Sequence, residues 1–282
     1  MTDREQLIYT KRMNKVISIA IVVIVIAFGI YYGVSRNSDK QAGTVPDNQT
    51  TQPERALVAS GHPEWQPIMF KSGEEIQGAG PALEKMIFDK LGVKTEFPYK
   101  GAWDEVQAKA KSGEVDSLVA AYKTDERLTY MDYSEPYTTD PVALFVKAGN
   151  NLKFEKPEDL IGKKGIGTVG DSYGQTFDNF IKAKLTVQTV KTSQEAFDLL
   201  TSGKADYFVY SLYAGVNEIK LKNLQGKVES LPHFVAEENF FITFSKKSPF
   251  TKYLPQVNEL IKQYKADGTI DRLIAQYKNQ KQ

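Results

Sequence analysis

Residues 112–119 read SGEVDSLV, and residues 202–209 read SGKADYFV. Both blocks contain a Ser-Gly pair, an aspartate three positions after the glycine, and an apolar run after the aspartate. A glycine that closes a helix and is followed by an apolar run is typical of a helix, a short turn and a buried strand. The two blocks therefore predict two halves of the chain with the same local order of elements.

The segments around these blocks extend the similarity between the two halves. In the first half the sequence predicts strands at 55–60, 93–97 and 115–121, with helices at 80–92 and 104–112. In the second half it predicts strands at 164–168, 185–190 and 205–211, with helices at 173–184 and 194–201. A β-α-β-α-β order implies right-handed crossovers and a parallel sheet covered by helices. We therefore expect an α/β fold of two lobes with a cleft between them.

Two extended apolar runs, 142–146 and 240–244, are predicted to carry the chain between the lobes. Lobe 1 would then comprise 55–141 and 242–282, and lobe 2 would comprise 142–241. The residues 249–264 and 270–277 are predicted to form two closing helices.

The stretch 120–127, AAYKTDER, combines a buried strand end with a helix start. Thr124 is suited to cap the helix, and the free backbone N–H groups of such a turn favour a bound anion. Arg127 lies in the first turn and can grip a carboxylate with two parallel hydrogen bonds. Because ligands of open α/β sheets bind beyond the carboxyl ends of the strands, we expect a carboxylate site here.

Residues 122–137 resemble the "T-x-x-R … F-S-x-P-Y" signature of the family 3 extracellular solute-binding proteins, which include the polar amino-acid receptors of ABC importers. The resemblance extends from Ala56 to about Tyr277 and includes the "A-D-G-T" ending at 266–269. It implies a periplasmic-binding-protein-like (type II) fold with a hinge of two crossover strands. It also implies that the protein captures a small carboxylate-bearing solute, an amino acid or a related molecule, and delivers it to an ABC transporter permease.

The resemblance also implies a set of ligand-binding residues. Trp65 occupies the place of an aromatic residue that stacks on the ligand, and residues 170–173 resemble a ligand-contacting "G-T-[ST]" loop. Ser172 and Gln175 are further predicted to form a capping box at the start of a helix. Together with the 120–127 stretch and the strand ends, the predicted ligand-binding set is Trp65, Ala120, Tyr122, Arg127, Asp171, Ser172, Tyr210 and Ser211.

Two positions depart from the family pattern. The usual "G-F-D-x-D" is replaced by 78–82, GAGPA, and Ser211 stands where an aspartate usually pairs with the ligand's α-ammonium. A serine hydroxyl can hydrogen-bond an ammonium but cannot neutralise it. Either Glu64, Asp171 or Glu238 supplies the missing charge, or the ligand has no free α-ammonium.

Composition restricts the other classes of function. The net charge of +1 gives no indication of a nucleic-acid partner, and the absence of cysteine excludes disulfides and thiolate chemistry. The two histidines, His62 and His233, lack metal-ligand spacing, and no nucleophile elbow is present. Gly165, Gly167 and Gly170 match a dinucleotide fingerprint, but the first two lie inside a predicted strand. We therefore expect no metal, no cofactor and no catalytic site.

Two alternatives to a transport role are a ligand-sensing domain for a signalling partner and a dehydratase-like enzyme on the same fold.

The N-terminal region predicts export. Residues 16–34 form an uncharged run just long enough to cross a bilayer, and the basic residues before it place residues 1–15 in the cytoplasm. The favoured interpretation is a retained single-pass transmembrane helix, followed by a flexible spacer at 35–54, with the globular body outside the cytoplasm. The alternative is a signal peptide cleaved near Ala27-Phe28-Gly29, which would release the protein.

Overall fold

A computed structural model describes residues 55–278 of the chain. The predicted cytoplasmic N-terminus, transmembrane anchor and spacer lie outside these residues. In the described part, no helix has the length and apolar character needed to span a bilayer. The strands are β1 Leu57–Ser60, β2 Glu64–Trp65, β3 Met69–Ser72, β4 Glu75–Gln77, β5 Thr95–Glu96, β6 Ser117–Ala121, β7 Met131–Lys147, β8 Lys164–Thr168, β9 Thr186–Val190, β10 Tyr207–Ser211, β11 Val228–Ser230 and β12 Ala236–Ser245. The α-helices are α1 Ala79–Lys90, α2 Trp103–Ser112, α3 Asp125–Leu128, α4 Gln175–Lys184, α5 Ser193–Thr201, α6 Leu212–Leu221, α7 Leu254–Ala266 and α8 Thr269–Lys278, with short 3₁₀ turns at Pro157–Leu160 and Pro249–Tyr253.

The two predicted β-α-β-α-β halves are present. In lobe 1, the half built on β1, β5 and β6, strand β1 pairs in parallel with both of the others. In lobe 2, the half built on β8, β9 and β10, strand β8 likewise pairs in parallel with both of the others. The full order is β5-β1-β6-β12-β7-β10-β8-β9, so β12 and β7 lie between the two lobes. The chain is therefore a two-lobed α/β protein, whereas the exact lobe boundaries remain predictions.

The aspartates of the repeated blocks have equivalent positions in the two lobes. Asp116 Oδ2 accepts a hydrogen bond from the backbone N–H of Val58 at 3.0 Å, and Asp206 Oδ2 accepts one from that of Lys164 at 2.7 Å. In the other direction, the backbone N–H of each aspartate donates to the carbonyl of the same strand residue. Each block thus ties the start of its last strand to the first strand of its lobe. This structural role explains why the two sequences share the aspartate.

Asp116 makes further contacts that have no counterpart at Asp206 within the described part of the chain. Arg55 donates to both of its carboxylate oxygens, at 2.5 and 2.8 Å, and Ser248 Oγ donates to it at 2.7 Å. The side chain of Asp116 is only 1% exposed. The carboxylate therefore joins the beginning of the described chain to the segment that follows β12.

We expect Asp116→Asn to lower the free energy of unfolding by about 1–2 kcal/mol, because an amide cannot accept the two-pronged Arg55 contact. Asp206→Asn is the matched control. It keeps an acceptor for the Lys164 N–H and should cost less than about 1 kcal/mol. Urea denaturation of the two full-length variants measures the difference, and equal losses would show that the Arg55 contact adds nothing to stability.

A segment that the sequence predicts to be a loop forms a small sheet in the structure. Pro63 and Pro67 predict that residues 61–70 form a loop without regular structure, but β2, β3 and β4 form a three-stranded antiparallel sheet. Pro63 precedes β2, and Pro67 lies in the turn between β2 and β3, so neither proline has to donate a ladder hydrogen bond. This sheet fixes the position of Trp65.

The crossover between the lobes lies beside the predicted hinge positions. Leu144 pairs with Val209 of lobe 2, and Ile242 lies between two residues that pair with β6 of lobe 1. The strands near Leu144 and Ile242, predicted to act as the hinge, are β7 and β12, and the hinge itself stays a prediction. Residues 138–141 of β7 and 237–240 of β12 pair only with each other and form the connection between the lobes.

Helix α1 buries one unexpected residue. Its buried face includes the apolar Leu83, Ile87 and Phe88, but it also includes Glu84, which is 0% exposed. Neither carboxyl oxygen of Glu84 has a hydrogen-bond partner of standard geometry within the described residues. Burial raises the pKa of Glu84 to about 8, opposed by the neighbouring Ser117 hydroxyl and assisted by the charge of Asp116. Glu84 is therefore mostly protonated at neutral pH.

Candidate functional site

The carboxyl ends of the strands of the two lobes border a crevice with a volume of about 640 Å³. Its walls come from residues 104–130 of lobe 1 and 168–189 of lobe 2. Of the predicted ligand-binding residues, Arg127, Asp171 and Ser172 line this crevice. The structure thus brings together the 120–127 stretch and the 170–173 loop, as the sheet topology predicted.

Arg127 is held between the lobes. Thr124 caps helix α3 as predicted, accepting the backbone N–H of Arg127 at 3.2 Å. The guanidinium donates to the carbonyl of Tyr122 at 3.1 Å, to the carbonyl of Gly170 at 3.1 Å and to Gln107 Oε1 at 2.9 Å. These contacts use one donor of each guanidinium nitrogen, and a further side-chain hydrogen bond joins Arg127 to the hydroxyl of Tyr130.

The charge of Arg127 has no counter-ion in the described part of the chain. Arg127 is 5% exposed, and no carboxylate of residues 55–278 lies within ion-pair distance of it. Its guanidinium lies 5.4 Å from the ring centre of Trp103, a contact that favours a cation but does not neutralise it. A buried cation is costly unless it is paired. The arrangement is therefore suited to receive an anion.

Ser172 is positioned differently from the prediction. Helix α4 begins at Gln175 after Gly174, and no side chain caps it, so the predicted Ser172–Gln175 capping box was wrong. Ser172 Oγ instead donates to Asp178 at 2.5 Å and accepts from the Gly174 N–H at 3.3 Å. Gln175 Oε1 accepts the backbone N–H of Asp125 at 2.9 Å, which joins α4 of lobe 2 to α3 of lobe 1.

The buried carboxylate of Asp140 accepts hydrogen bonds from three of the predicted residues. Its Oδ2 accepts hydrogen bonds from Trp65 Nε1 at 3.1 Å and Tyr122 Oη at 2.5 Å, and its Oδ1 accepts from Ser211 Oγ at 2.8 Å. Asp140 lies in the crossover segment of β7 and is 1% exposed. Two of its donors belong to lobe 1 and one to lobe 2. Asp140 thus links both lobes at the point where the chain passes between them.

Burial raises the pKa of Asp140 to about 6, although the three hydrogen bonds from Tyr122, Ser211 and Trp65 act in the opposite direction. The same carboxylate contributes to raising the pKa of the Tyr122 hydroxyl, for which burial is the larger cause. At neutral pH the junction between the lobes therefore carries a negative charge.

Aromatic side chains fill the space between Asp140 and the crevice. Trp65 stacks on Tyr210 with ring centres 5.5 Å apart, and its edge contacts Tyr122 at 5.8 Å and Phe240 at 6.0 Å. The cavity that remains beside these rings and Ala120 has a volume of about 10 Å³, enough for about one water molecule. The lobes are therefore closed at these rings. A solute can enter the space beside Trp65 and Ala120 only when the lobes separate or when the rings move.

Asp171 lies at the inner end of the crevice beside His62. The side chain of Asp171 is 0% exposed, and its Oδ2 accepts from the hydroxyl of Thr168. Among residues 55–278, Oδ1 has no hydrogen-bond partner, and His62 Nε2 lies 3.4 Å away, within ion-pair distance. His62 Nδ1 accepts the backbone N–H of Glu64 at 3.0 Å, so this contact fixes the orientation of the ring.

Sequence reasoning located most of this region but not all of it. All eight predicted residues lie at the junction of the lobes, although Tyr210 and Ser211 are buried and line neither the crevice nor the small cavity. Asp140, Gln107 and Trp103 were missed. A signal for Asp140 was present, because it is an acidic residue two positions before the apolar run 142–146. Gln107 carries no such signal, since glutamine is ordinary on an exposed helix face.

The glycines of the apparent dinucleotide motif have a packing role. Gly165 and Gly167 both lie in β8, where a Cβ atom would collide with the ring of Tyr207 or the hydroxyl end of Tyr173, respectively. In addition, residues 55–278 contain no group of three or more His, Asp or Glu side chains placed to hold a metal ion.

The architecture and the interlobe crevice define the class of two-lobed binding proteins. The sequence from 57 to 280 matches the family described as "Bacterial extracellular solute-binding proteins, family 3". The chain therefore belongs to this family.

Among curated relatives, the ABC transporter glutamine-binding protein GlnH of Bacillus subtilis is 29% identical over 215 residues, 72% of this chain and 72% of that protein. The L-cystine-binding protein TcyA of the same organism is 24% identical over 206 residues, 72% of this chain and 73% of that protein. Among solved structures, an ancestral arginine-binding protein bound to glutamine is 29% identical, covers 79% of this chain and 97% of its own, and has a TM-score of 0.65.

Proposed function

We propose that this protein captures a small carboxylate-bearing solute, an amino acid or a related molecule, between its lobes and delivers it to an ABC importer. The predicted transmembrane anchor at 16–34 would keep the body at the outer face of the membrane. N-terminal sequencing of the exported protein tests the anchor, since a mature chain that begins near Tyr31 or Ser35 would contradict it.

The observation that carries the proposal is the buried guanidinium of Arg127, which has no carboxylate partner within ion-pair distance among residues 55–278. A ligand carboxylate would supply the missing counter-ion with a charge-assisted contact. The similarity to a glutamine-binding and an L-cystine-binding protein supports an amino acid as the ligand class.

Closure around the ligand is the mechanism that the fold favours. Contacts between the lobes include those of Arg127 with Gly170, of Asp125 with Gln175, and of the Glu64 carbonyl with the Tyr210 hydroxyl at 2.9 Å. Each can form only when the lobes are together. Rotation about 138–141 and 237–240 would open the crevice, and a ligand that contacts both lobes would shift the population toward the closed state.

We expect ligand to increase energy transfer between dyes placed across the crevice. Because the chain has no cysteine, Lys111→Cys and Lys182→Cys give one labelling site on each wall. Single-molecule measurements should show a rise in the high-transfer population at saturating amino acid. A pair within lobe 1, Lys85→Cys with Lys111→Cys, is the control and should not respond. An unchanged distribution for the crevice pair would contradict closure.

Delivery to a permease is tested by uptake of a radiolabelled amino acid into intact cells with and without the gene. Loss of uptake on deletion, restored by the wild-type chain but not by Arg127→Ala, is the expected result. Normal uptake without the gene would favour the alternative of a ligand sensor.

A further inference from the structure

The lobes also meet along a second crevice, which shares no lining residue with the first. Its volume is about 560 Å³, and its walls come from residues between 62 and 103 of lobe 1 and between 169 and 222 of lobe 2. Direct hydrogen bonds join the lobes beside it, from the β2 end of the small sheet to α5, β10 and α6. These contacts are separate from those of Arg127.

Glu64 caps a helix of the opposite lobe. Its Oε2 accepts the backbone N–H of Ser193, the first residue of α5, at 2.9 Å. The first N–H groups of a helix have no partner within the helix and carry a partial positive charge. Thr192 caps α5 from within lobe 2, accepting the N–H of Glu195 at 3.2 Å. The carboxylate of Glu64 adds a charge-assisted contact that joins the same helix start to lobe 1.

The backbone of Glu64 and the side chain of Gln66 make further contacts with lobe 2. Tyr210 Oη donates to the carbonyl of Glu64 at 2.9 Å, and Asn217 Nδ2 of α6 donates to Gln66 Oε1 at 3.0 Å. Gln66 is 2% exposed and donates in turn to the carbonyl of Tyr277 in α8 at 3.0 Å. Gln66 is thus attached to the last helix, so that this edge of the small sheet is held in place where lobe 2 meets it.

The charge of Glu64 depends on closure for its partner. Glu218, the other acid near the start of α5, is satisfied within lobe 2, since its Oε2 accepts from Ser193 Oγ at 3.0 Å and pairs with Lys222 Nζ at 2.9 Å. Glu64 has no cation within ion-pair distance in residues 55–278. Separation of the lobes would exchange its α5 contact for water. Because a hydrogen bond to a charged group keeps a net gain over hydration, the contact favours the closed state without any ligand.

We propose that Glu64 is an interlobe latch, which by capping α5 gives the protein a closed population before any solute is bound. This inference goes beyond the proposed function, because it concerns the chain without ligand. A solute would then shift an equilibrium that Glu64 has already moved part of the way toward closure. The latch would also raise the apparent affinity for a solute that binds the closed state, in proportion to the closed fraction.

Single-molecule energy transfer between dyes at Lys111→Cys and Lys182→Cys measures the closed-to-open ratio in the absence of solute. The full-length protein is first unfolded in urea, dialysed and refolded, so that no co-purified solute remains. Glu64→Ala removes the latch. Glu195→Ala is the matched control, because its carboxylate also accepts a backbone N–H at the start of α5, that of Lys191 at 3.0 Å, but does so within lobe 2.

A second pair of variants removes the donor instead of the acceptor. Ser193→Pro deletes the N–H, and proline is favoured at the first position of a helix. Thr192, with φ −135° and ψ 154°, already has the extended backbone that a following proline requires. Ser193→Ala is the control, because it keeps the N–H and loses only the hydroxyl contact with Glu218.

We expect a measurable closed population in the solute-free wild type and a closed-to-open ratio about five- to tenfold lower in Glu64→Ala. Glu64→Gln, whose neutral amide oxygen is a weaker acceptor, should lie between the two. Ser193→Pro should lower the ratio as Glu64→Ala does and should add nothing further in the double variant, because the two residues share one contact. The distributions of Glu195→Ala and Ser193→Ala should match the wild type.

The absence of a closed population in the solute-free wild type would overturn the latch, and so would an unchanged distribution in Glu64→Ala. An equal shift in Glu195→Ala would also overturn it, since the effect would then belong to the helix start within lobe 2. If Glu64→Ala folds poorly, the comparison of Ser193→Pro with Ser193→Ala decides the same question. These distributions are recorded without solute, so failure of the latch leaves the proposed solute capture standing. Failure of every amino acid to bind would leave the latch standing.

Discussion

Replacing Arg127 by alanine should weaken amino-acid binding by roughly two to three orders of magnitude. Loss of one partner of a buried, hydrogen-bonded charge pair typically costs roughly 2–5 kcal/mol, and each decade of affinity corresponds to about 1.4 kcal/mol. Arg127 also donates to Gly170 across the lobes, so the variant should favour the open state as well. Calorimetric titration of the purified full-length variant measures the loss.

Two further variants make the Arg127 result specific. Arg127→Lys keeps the charge but not the planar fork, so its affinity should lie between those of wild type and Arg127→Ala. Arg272→Ala removes an arginine whose side chain is 68% exposed and should leave binding unchanged. A loss below about threefold in Arg127→Ala, with an unchanged melting temperature, would show that Arg127 does not hold the ligand.

Glu84→Gln should stabilise the protein at pH 8 and remove a strong pH dependence. The folded-state pKa of Glu84, about 8, lies above its ordinary value of 4.5, so the folded state binds the extra proton between these values. The contribution of Glu84 to stability is therefore fully present below about pH 4.5 and is lost as the pH rises through about 8. Each pH unit in this window costs about 1.4 kcal/mol, so the wild type should lose roughly 2–3 kcal/mol between pH 6 and pH 8.

Denaturation curves at pH 6, 7 and 8 test this expectation. Asp140, with its raised pKa of about 6, adds a smaller pH dependence at the lower end of this range, and it does so equally in the wild type and in Glu84→Gln, so the difference between the two curves reports Glu84. Asp89→Asn, at an exposed position of the same helix, is the control and should keep the wild-type slope. A Glu84→Gln variant that loses stability with pH as steeply as the wild type would show that another group is responsible.

The fold could be predicted because its signals are local and repeated. The Ser-Gly-x-x-Asp blocks mark a helix end and a strand start, and in each lobe the aspartate ties that strand to the first one. The crossover could not be predicted to the residue, because 142–146 is a continuous apolar run and sequence alone does not tell which part of a long strand pairs with which neighbour. In the structure Val142 to Phe145 pair with β10, and the preceding residues 138–141 make the crossover.

The candidate site could be predicted only as far as strand topology determines it. Arg127 and Asp171 follow strand ends, so the rule for open sheets brings them together. Asp140 lies within a strand, and its partners Trp65 and Ser211 are 75 and 71 positions away, distances that no spacing pattern connects. The closed aromatic packing around Trp65 likewise depends on how the lobes approach each other.

We infer that the space between the lobes binds an amino acid through Arg127. Calorimetric titration of the wild-type full-length protein with each of the twenty standard L-amino acids tests it most directly. We expect at least one to bind with a dissociation constant of about a micromolar or tighter, and we expect Arg127→Ala to lose that binding. If none of the twenty binds, or if the Arg127→Ala variant binds as tightly as the wild type, the account is contradicted.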